Sequence, residues 1–159
     1  MNVLESEIFY YLIHPLIAFV ACVGYAIVCN APRKELPYCG LAAFICWLAY
    51  QLVLRHGGSP FVSTLLATFA ATSAARCLSY HRLQPTIVYH IPGILPLVPG
   101  APVYHCITSA MEGLVLDTTA NILTALKLAG AIGIGSVMIL VLPQSWFLLF
   151  SRLFPRKKV

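Results

Sequence analysis

Residues 85–105 read Pro-Thr-Ile-Val-Tyr-His-Ile-Pro-Gly-Ile-Leu-Pro-Leu-Val-Pro-Gly-Ala-Pro-Val-Tyr-His and hold five of the chain's 11 prolines. A proline inside a helix removes one i→i−4 hydrogen bond and crowds the preceding turn, costing about 3 kcal/mol. Pro92, Pro96, Pro99 and Pro102 stand so close together that no continuous α-helix can run through them. The surroundings are apolar all the same. Irregular backbone at membrane depth is stable only where it is buried in protein or lines a wet cavity. A helix broken there turns free carbonyls and a half-helix N-terminus toward solutes and coupling ions. A second half beginning after Pro102 would favour an anion such as a substrate carboxylate. Gly93 and Gly100, each following a proline, would supply turns and close approach. The competing reading is a kinked packing helix or a re-entrant loop that serves only as scaffold.

The triplets Val88-Tyr89-His90 and Val103-Tyr104-His105 flank the break. Paired this way, His90 and His105 could relay protons, since histidine titrates nearest neutral pH. They could equally be amphipathic anchors at the two interfaces. Glu112 would be a proton-coupling carboxylate if it ended a half-helix inside a cavity. In an outer loop running from Glu112 to Asn121, it and Asp117 would simply be solvated, because charge in lipid is expensive. Thr64, Thr68, Thr72 and Arg76 recur every fourth residue and so share one helix face. Beside so many alanines, the threonines read first as a close helix contact. Arg76 could clamp a carboxylate with its planar fork or snorkel to the cytoplasmic surface. Ala125, Ala129 and Gly133, with Ala131 and Gly135 beside them, carry small-xxx-small spacing, a signal for helix packing against the broken helix or a partner. None of the six cysteines, at 22, 29, 39, 46, 77 and 106, forms a C-x-x-C pair. They read as small hydrophobes, with no metal, disulfide or cofactor expected. No nucleophile–base or two-histidine metal spacing points to an enzyme.

These residues need elements to hold them, and composition says which. Of the 159 residues 60% are hydrophobic and 9% charged, with a mean hydropathy of +0.86. Soluble domains carry about 25% charge, so the excess apolar surface must face lipid. That excludes a soluble enzyme and a nucleic-acid binder. Charge-free windows run from Ile8 to Cys29 and over 36–54, 56–75, 83–111 and 128–151. Each is near or above the roughly 20 residues a helix needs to cross the hydrocarbon core. Period-2 alternation is absent, which excludes a barrel. The expected fold is all-α: a polytopic helical membrane bundle of about five spans, one of them broken by Pro and Gly. Its single domain, 1–159, would place spans at approximately 8–29, 37–54, 60–80, 86–111 (broken) and 124–143. Glu5 and Glu7 precede the first window without the basic residues of a cleavable signal, so that window is a retained span. Lys and Arg bias loops to the cytoplasm. This puts 30–37, 81–85 and a basic tail over 151–159 inside, and the N-terminus and 55–60 outside. Trp146, Phe147, Phe150 and Phe154 would form an aromatic belt before the tail.

The run His90-Ile91-Pro92-Gly93-Ile94-Leu95-Pro96-Leu97-Val98-Pro99-Gly100, with Tyr104, resembles the signature of the threonine/serine exporter family. Asn30-Ala31-Pro32-Arg33 followed by Leu36, Tyr38, Cys39 and Gly40 resembles the first cytoplasmic loop of its short, separately encoded subunits. Those subunits correspond to the C-terminal membrane part of the full-length exporters. The resemblance implies a multi-pass protein of the bacterial inner membrane, exporting threonine and serine on the proton-motive force. It implies a larger, separately encoded partner, and a chain this small with five spans would act in an oligomer. Some short members are associated with dicarboxylates of the succinate type, and a non-catalytic assembly subunit is a further alternative. The candidate substrate and ion pathway comprises Arg76, His90, Pro92, Gly93, Pro96, Pro99, Gly100, Tyr104, His105 and Glu112.

Overall fold

The first three helices each end where a residue at positive φ lets the chain turn back. The computed structural model describes the backbone of residues 3–142 and the side chains of residues 11–142. Helix α1 (Val3–Val28) closes with Asn30 at φ 57°, its amide bonded to the Ile27 carbonyl and that of Ala31 to the Ala26 carbonyl. This Schellman pattern satisfies carbonyls the helix end would leave unpaired. Helix α2 (Leu36–Arg55) ends the same way on Gly57, at φ +83°. Helix α3 (Pro60–Arg82) begins on a Ser59 cap with Pro60 in its first turn and ends on Leu83 in the left-handed region. Two short pieces follow, α4 (Ile87–Ile94) and a 3-10 turn over Leu95–Leu97. Helix α5 (Gly100–Met111) then closes on Gly113, at φ +75°, into the long helix α6 (Val115–Val141). The described residues contain helix and turn and no strand.

Small residues fill the interior, and large ones face out. Ala26, Cys39, Ala42, Ala43, Cys46, Ala67, Ala71, Ala75 and Ala131 are fully buried. Leu12, Ile17, Val20, Leu66, Leu126 and Val137 are exposed. Close backbone approach through small side chains is how helices associate in lipid, where burying leucine gains little. Gly40 shows how tight this is: a Cβ there would lie 2.7–2.8 Å from Val23 and Phe19 of α1. Four helices are long and apolar enough to cross a membrane, and five segments are if the bent pair α4–α5 counts as one.

Helix directions settle what the bent pair does. Thr68 of α3 meets Gly135 of α6, while Arg76 donates to the carbonyls of Ile139, Leu140 and Leu142. Residue numbers rise together, so α3 and α6 run parallel. Ala75 shares a buried cluster with Tyr89, and Ala67 and Ala71 share one with Leu97, so α4 runs antiparallel to α3. The segment from α4 through α5 therefore carries the chain across the bundle once, and is not a loop that returns to its starting end. One end of the bundle, the basic end, holds Arg33, Lys34, Arg82 and the last turn of α6.

One expectation needs correcting. The stretch from Val115 to Asn121 is helix, not loop. Thr118 and Thr119 return their hydroxyls to the carbonyls four residues back, and Asp117 sits in a first turn where a negative charge is favourable. Of the small residues on α6, Ala131 and Gly135 are buried, Gly135 against Thr68 of α3, while Ala125 is half-buried and Ala129 and Gly133 face away from the other described helices. The aromatic belt and the basic tail lie outside the described residues.

Candidate functional site

The break lies between α4 and α5, which meet at 52°. Pro92 falls inside α4 and cannot return an amide to the Val88 carbonyl. The thiol of Cys39 on α2 donates to that carbonyl instead, at 3.2 Å. Pro96 lies in the 3-10 turn, whose Leu97 is buried, and Pro99 is the residue capping α5. The Gly100 amide turns back to the Val98 carbonyl at 2.7 Å, a carbonyl that Pro102 leaves without its helical partner. Neither Gly93 nor Gly100 has positive φ, so neither supplies a left-handed turn. Gly93 works by closeness, since a Cβ there would come within 3.1 Å of Ala42, while the space around Gly100 is open. Helix α5 starts on Gly100, two residues before Pro102, which its first turn tolerates.

The two Tyr-His arms occupy different environments. Tyr89 is fully buried, whereas Tyr104 is 64% exposed and stacks edge-on with the exposed His105 at 5.6 Å. Glu112 is exposed at the turn after α5. Arg76 caps the carbonyl end of α6 at 2.6, 3.2 and 2.7 Å, favourable both as hydrogen bonding and toward the helix dipole. His90 is half-buried beside the break.

Several buried polar atoms inside the bundle, one of them on His90, stand unpaired. The indole nitrogen of Trp47, both amide atoms of Gln51, the hydroxyls of Ser63 and Ser136 and Nδ1 of His90 are buried without a hydrogen-bond partner among the described residues. Buried polar groups are normally paired, so such a set needs a reason. Cys46, Ala67, Ala71 and Leu97 form a cluster against which Tyr50, Ile94 and Ile132 pack. Ser63 is one turn from Ala67 and Gln51 follows Tyr50, both toward the end opposite the basic one. His90 is one turn from Ile94 and Ser136 one turn from Ile132, both toward the basic end. Along the bundle axis Gln51 and Ser63 therefore lie toward one end, and His90 and Ser136 toward the other.

At the basic end three segments meet on one carboxylate. Arg82, the last residue of α3, binds Glu35 through two parallel bonds, Nε to Oε2 at 3.0 Å and a terminal nitrogen to Oε1 at 2.8 Å. The Tyr89 hydroxyl, in the first half of the broken segment, donates to Oε2 at 2.6 Å. The Arg82 guanidinium also lies 4.5 Å over the Tyr38 ring. Glu35 is 5% exposed. Hydrogen bonding from Arg82 holds its carboxyl below the usual carboxylate range, burial pushes the other way, and the Tyr89 bond and nearby positive charge add to the lowering.

The arrangement is a helical bundle with one bent pair of helices and a charge pair at its basic end. Among the described residues no group of three His, Cys, Asp or Glu could hold a metal. A sequence profile of the family described as "Threonine/Serine exporter, ThrE" matches residues 14–142. The chain belongs to the threonine/serine exporter family. It is a multi-pass membrane component of amino-acid export, and no solved structure matches it. Within this family member, the cluster of Glu35, Arg82 and Tyr89 is what reading the sequence missed. Glu35 looked like one more loop charge beside Arg33 and Lys34, and Arg82 like a topology residue. The available signal was an acidic residue directly before an apolar helix in an otherwise basic loop.

Proposed function

We propose that the chain is the membrane subunit of a two-component secondary transporter in the bacterial inner membrane. With a larger, separately encoded partner it moves threonine and serine out of the cytoplasm on the proton-motive force. The broken segment α4–α5 lines the pathway, and the basic end faces the cytoplasm, as the Lys and Arg bias directs. The observation that carries this reading is the break itself, and the buried, unpaired hydroxyl, amide and imidazole groups inside the bundle support it. Such groups suit a solute bearing a hydroxyl, an ammonium and a carboxylate, and discontinuous helices are where transporters bind solutes. The exposed Ala129 and Gly133 on α6 leave a small-residue face for the partner.

The test is efflux of preloaded threonine, serine and succinate from cells lacking both subunits. Each subunit is expressed alone and then together, with and without a protonophore. Efflux of the two amino acids only with both subunits, abolished by the protonophore, is the expected result. Preference for succinate would replace the substrate, and a stable complex that exports none of the three would overturn the reading.

A further inference from the structure

We propose that Glu35 and Arg82 form a loading site for the zwitterion of an α-amino acid, which opens the basic end by exchanging with their ion pair. This rests on the export reading above. Bidentate guanidinium–carboxylate pairing is the arrangement in which arginine recognises any carboxylate, and here its occupant is the protein's own Glu35. Arg82 remains 29% exposed, so a solute arriving from the basic end meets the guanidinium first. Beneath the pair lies an apolar plug of Ala26, Cys39, Ala75 and Tyr89, all fully buried.

Stability alone is a weak reason to keep such a pair, since apolar residues of similar volume commonly serve as well or better. Opening it without a substitute would strand a buried carboxylate, which is strongly unfavourable. An amino-acid zwitterion removes that obstacle, because its carboxylate takes the place of Glu35 on Arg82 and its ammonium takes the place of Arg82 on Glu35. A solute carrying only one of the two charges satisfies one partner and strands the other. The pair is also tied to the moving part. Tyr89 donates to Glu35 at 2.6 Å and belongs to the same eight-residue helix as Pro92 and Gly93, so releasing Glu35 releases the first half of the broken segment.

The readout is Cys39, fully buried beneath the pair. In inside-out vesicles holding the chain with its partner, alkylation of Cys39 by a water-soluble maleimide is followed by peptide mass spectrometry. L-threonine is expected to speed it several-fold, while N-acetyl-threonine and threonine amide leave it unchanged. Glu35→Gln is expected to raise the rate without any solute. If that variant fails to fold, Arg82→Lys, which keeps the charge but loses the fork, is expected to give an intermediate rate. Intact threonine uptake into the vesicles with no effect of threonine on Cys39 would make the pair a fixed staple and overturn the proposal alone. Equal acceleration by the singly charged analogues would overturn the exchange. Absence of threonine uptake into the vesicles would instead overturn the export reading, which the same vesicles report separately.

Discussion

The thiol of Cys39 stands in for the amide that Pro92 lacks: it donates to the Val88 carbonyl, 3.2 Å away, which a continuous helix would have paired with residue 92. The proline break is thereby anchored to α2. Cys39→Ala leaves a buried carbonyl unpaired and is expected to lower stability by about 1 kcal/mol. Pro92→Ala returns a backbone donor to Val88, so the same cysteine change should have less effect in that background. Thermal unfolding of the four proteins in detergent gives the coupling. Strict additivity would show that the thiol contact contributes nothing.

Gly93 and Gly100 look alike in sequence and should behave differently. A methyl at Gly93 meets Ala42 at 3.1 Å, so Gly93→Ala must push α4 off α2 by a few tenths of an ångström. A loss of stability toward the low end of about 1–3 kcal/mol follows. Gly100 has open space, and Gly100→Ala should leave unfolding unchanged or slightly improved. Any loss of efflux in Gly100→Ala would then report on the pathway and not on folding. Equal destabilisation by the two changes would contradict the packing described.

Which parts of this were legible follows from what each signal encodes. Charge-free windows and proline spacing are local, so the helices and the break could be read directly. The start of α6 was misplaced because Asp117, Thr118 and Thr119 look like loop residues, although their hydroxyls and charge suit a first helical turn. The Glu35–Arg82–Tyr89 cluster joins residues 47 and 54 positions apart, and no local pattern encodes that meeting. Arg76 was readable as a residue near a helix end, but its partners on α6 arise only from the parallel packing of α3 and α6.

That parallel packing has its own test. A Cβ at Gly135 would lie 3.0 Å from Thr68 and 3.1 Å from the Leu65 carbonyl, and backbone cannot move aside as a side-chain tip can. Gly135→Ala should therefore destabilise by about 1–3 kcal/mol. Gly133→Ala, two residues away with nothing within 4 Å, should be neutral or gain up to about 1 kcal/mol from helix propensity. Unfolding of the isolated chain separates the two. If Gly133→Ala then weakens co-purification of the partner, the exposed face of α6 is the assembly surface.

The charge pair predicts a pH dependence of definite sign. Hydrogen bonding from Arg82 lowers the carboxyl pKa of Glu35 in the folded chain, outweighing the opposing effect of burial, with Tyr89 and nearby positive charge contributing further. A group whose folded pKa is depressed stabilises the fold fully above its unfolded value, about 4.3 for glutamate, and loses that contribution as pH falls through the folded value. The difference in melting temperature between the native chain and Glu35→Gln should therefore be constant above about pH 5.5 and narrow below about 4.3, as the native carboxylate takes up a proton. Other carboxylates titrate equally in both proteins and cancel in the difference. A gap that stayed constant into strong acid would mean that the glutamate charge adds nothing to the fold, and that Arg82 and Tyr89 hold Glu35 by shape alone.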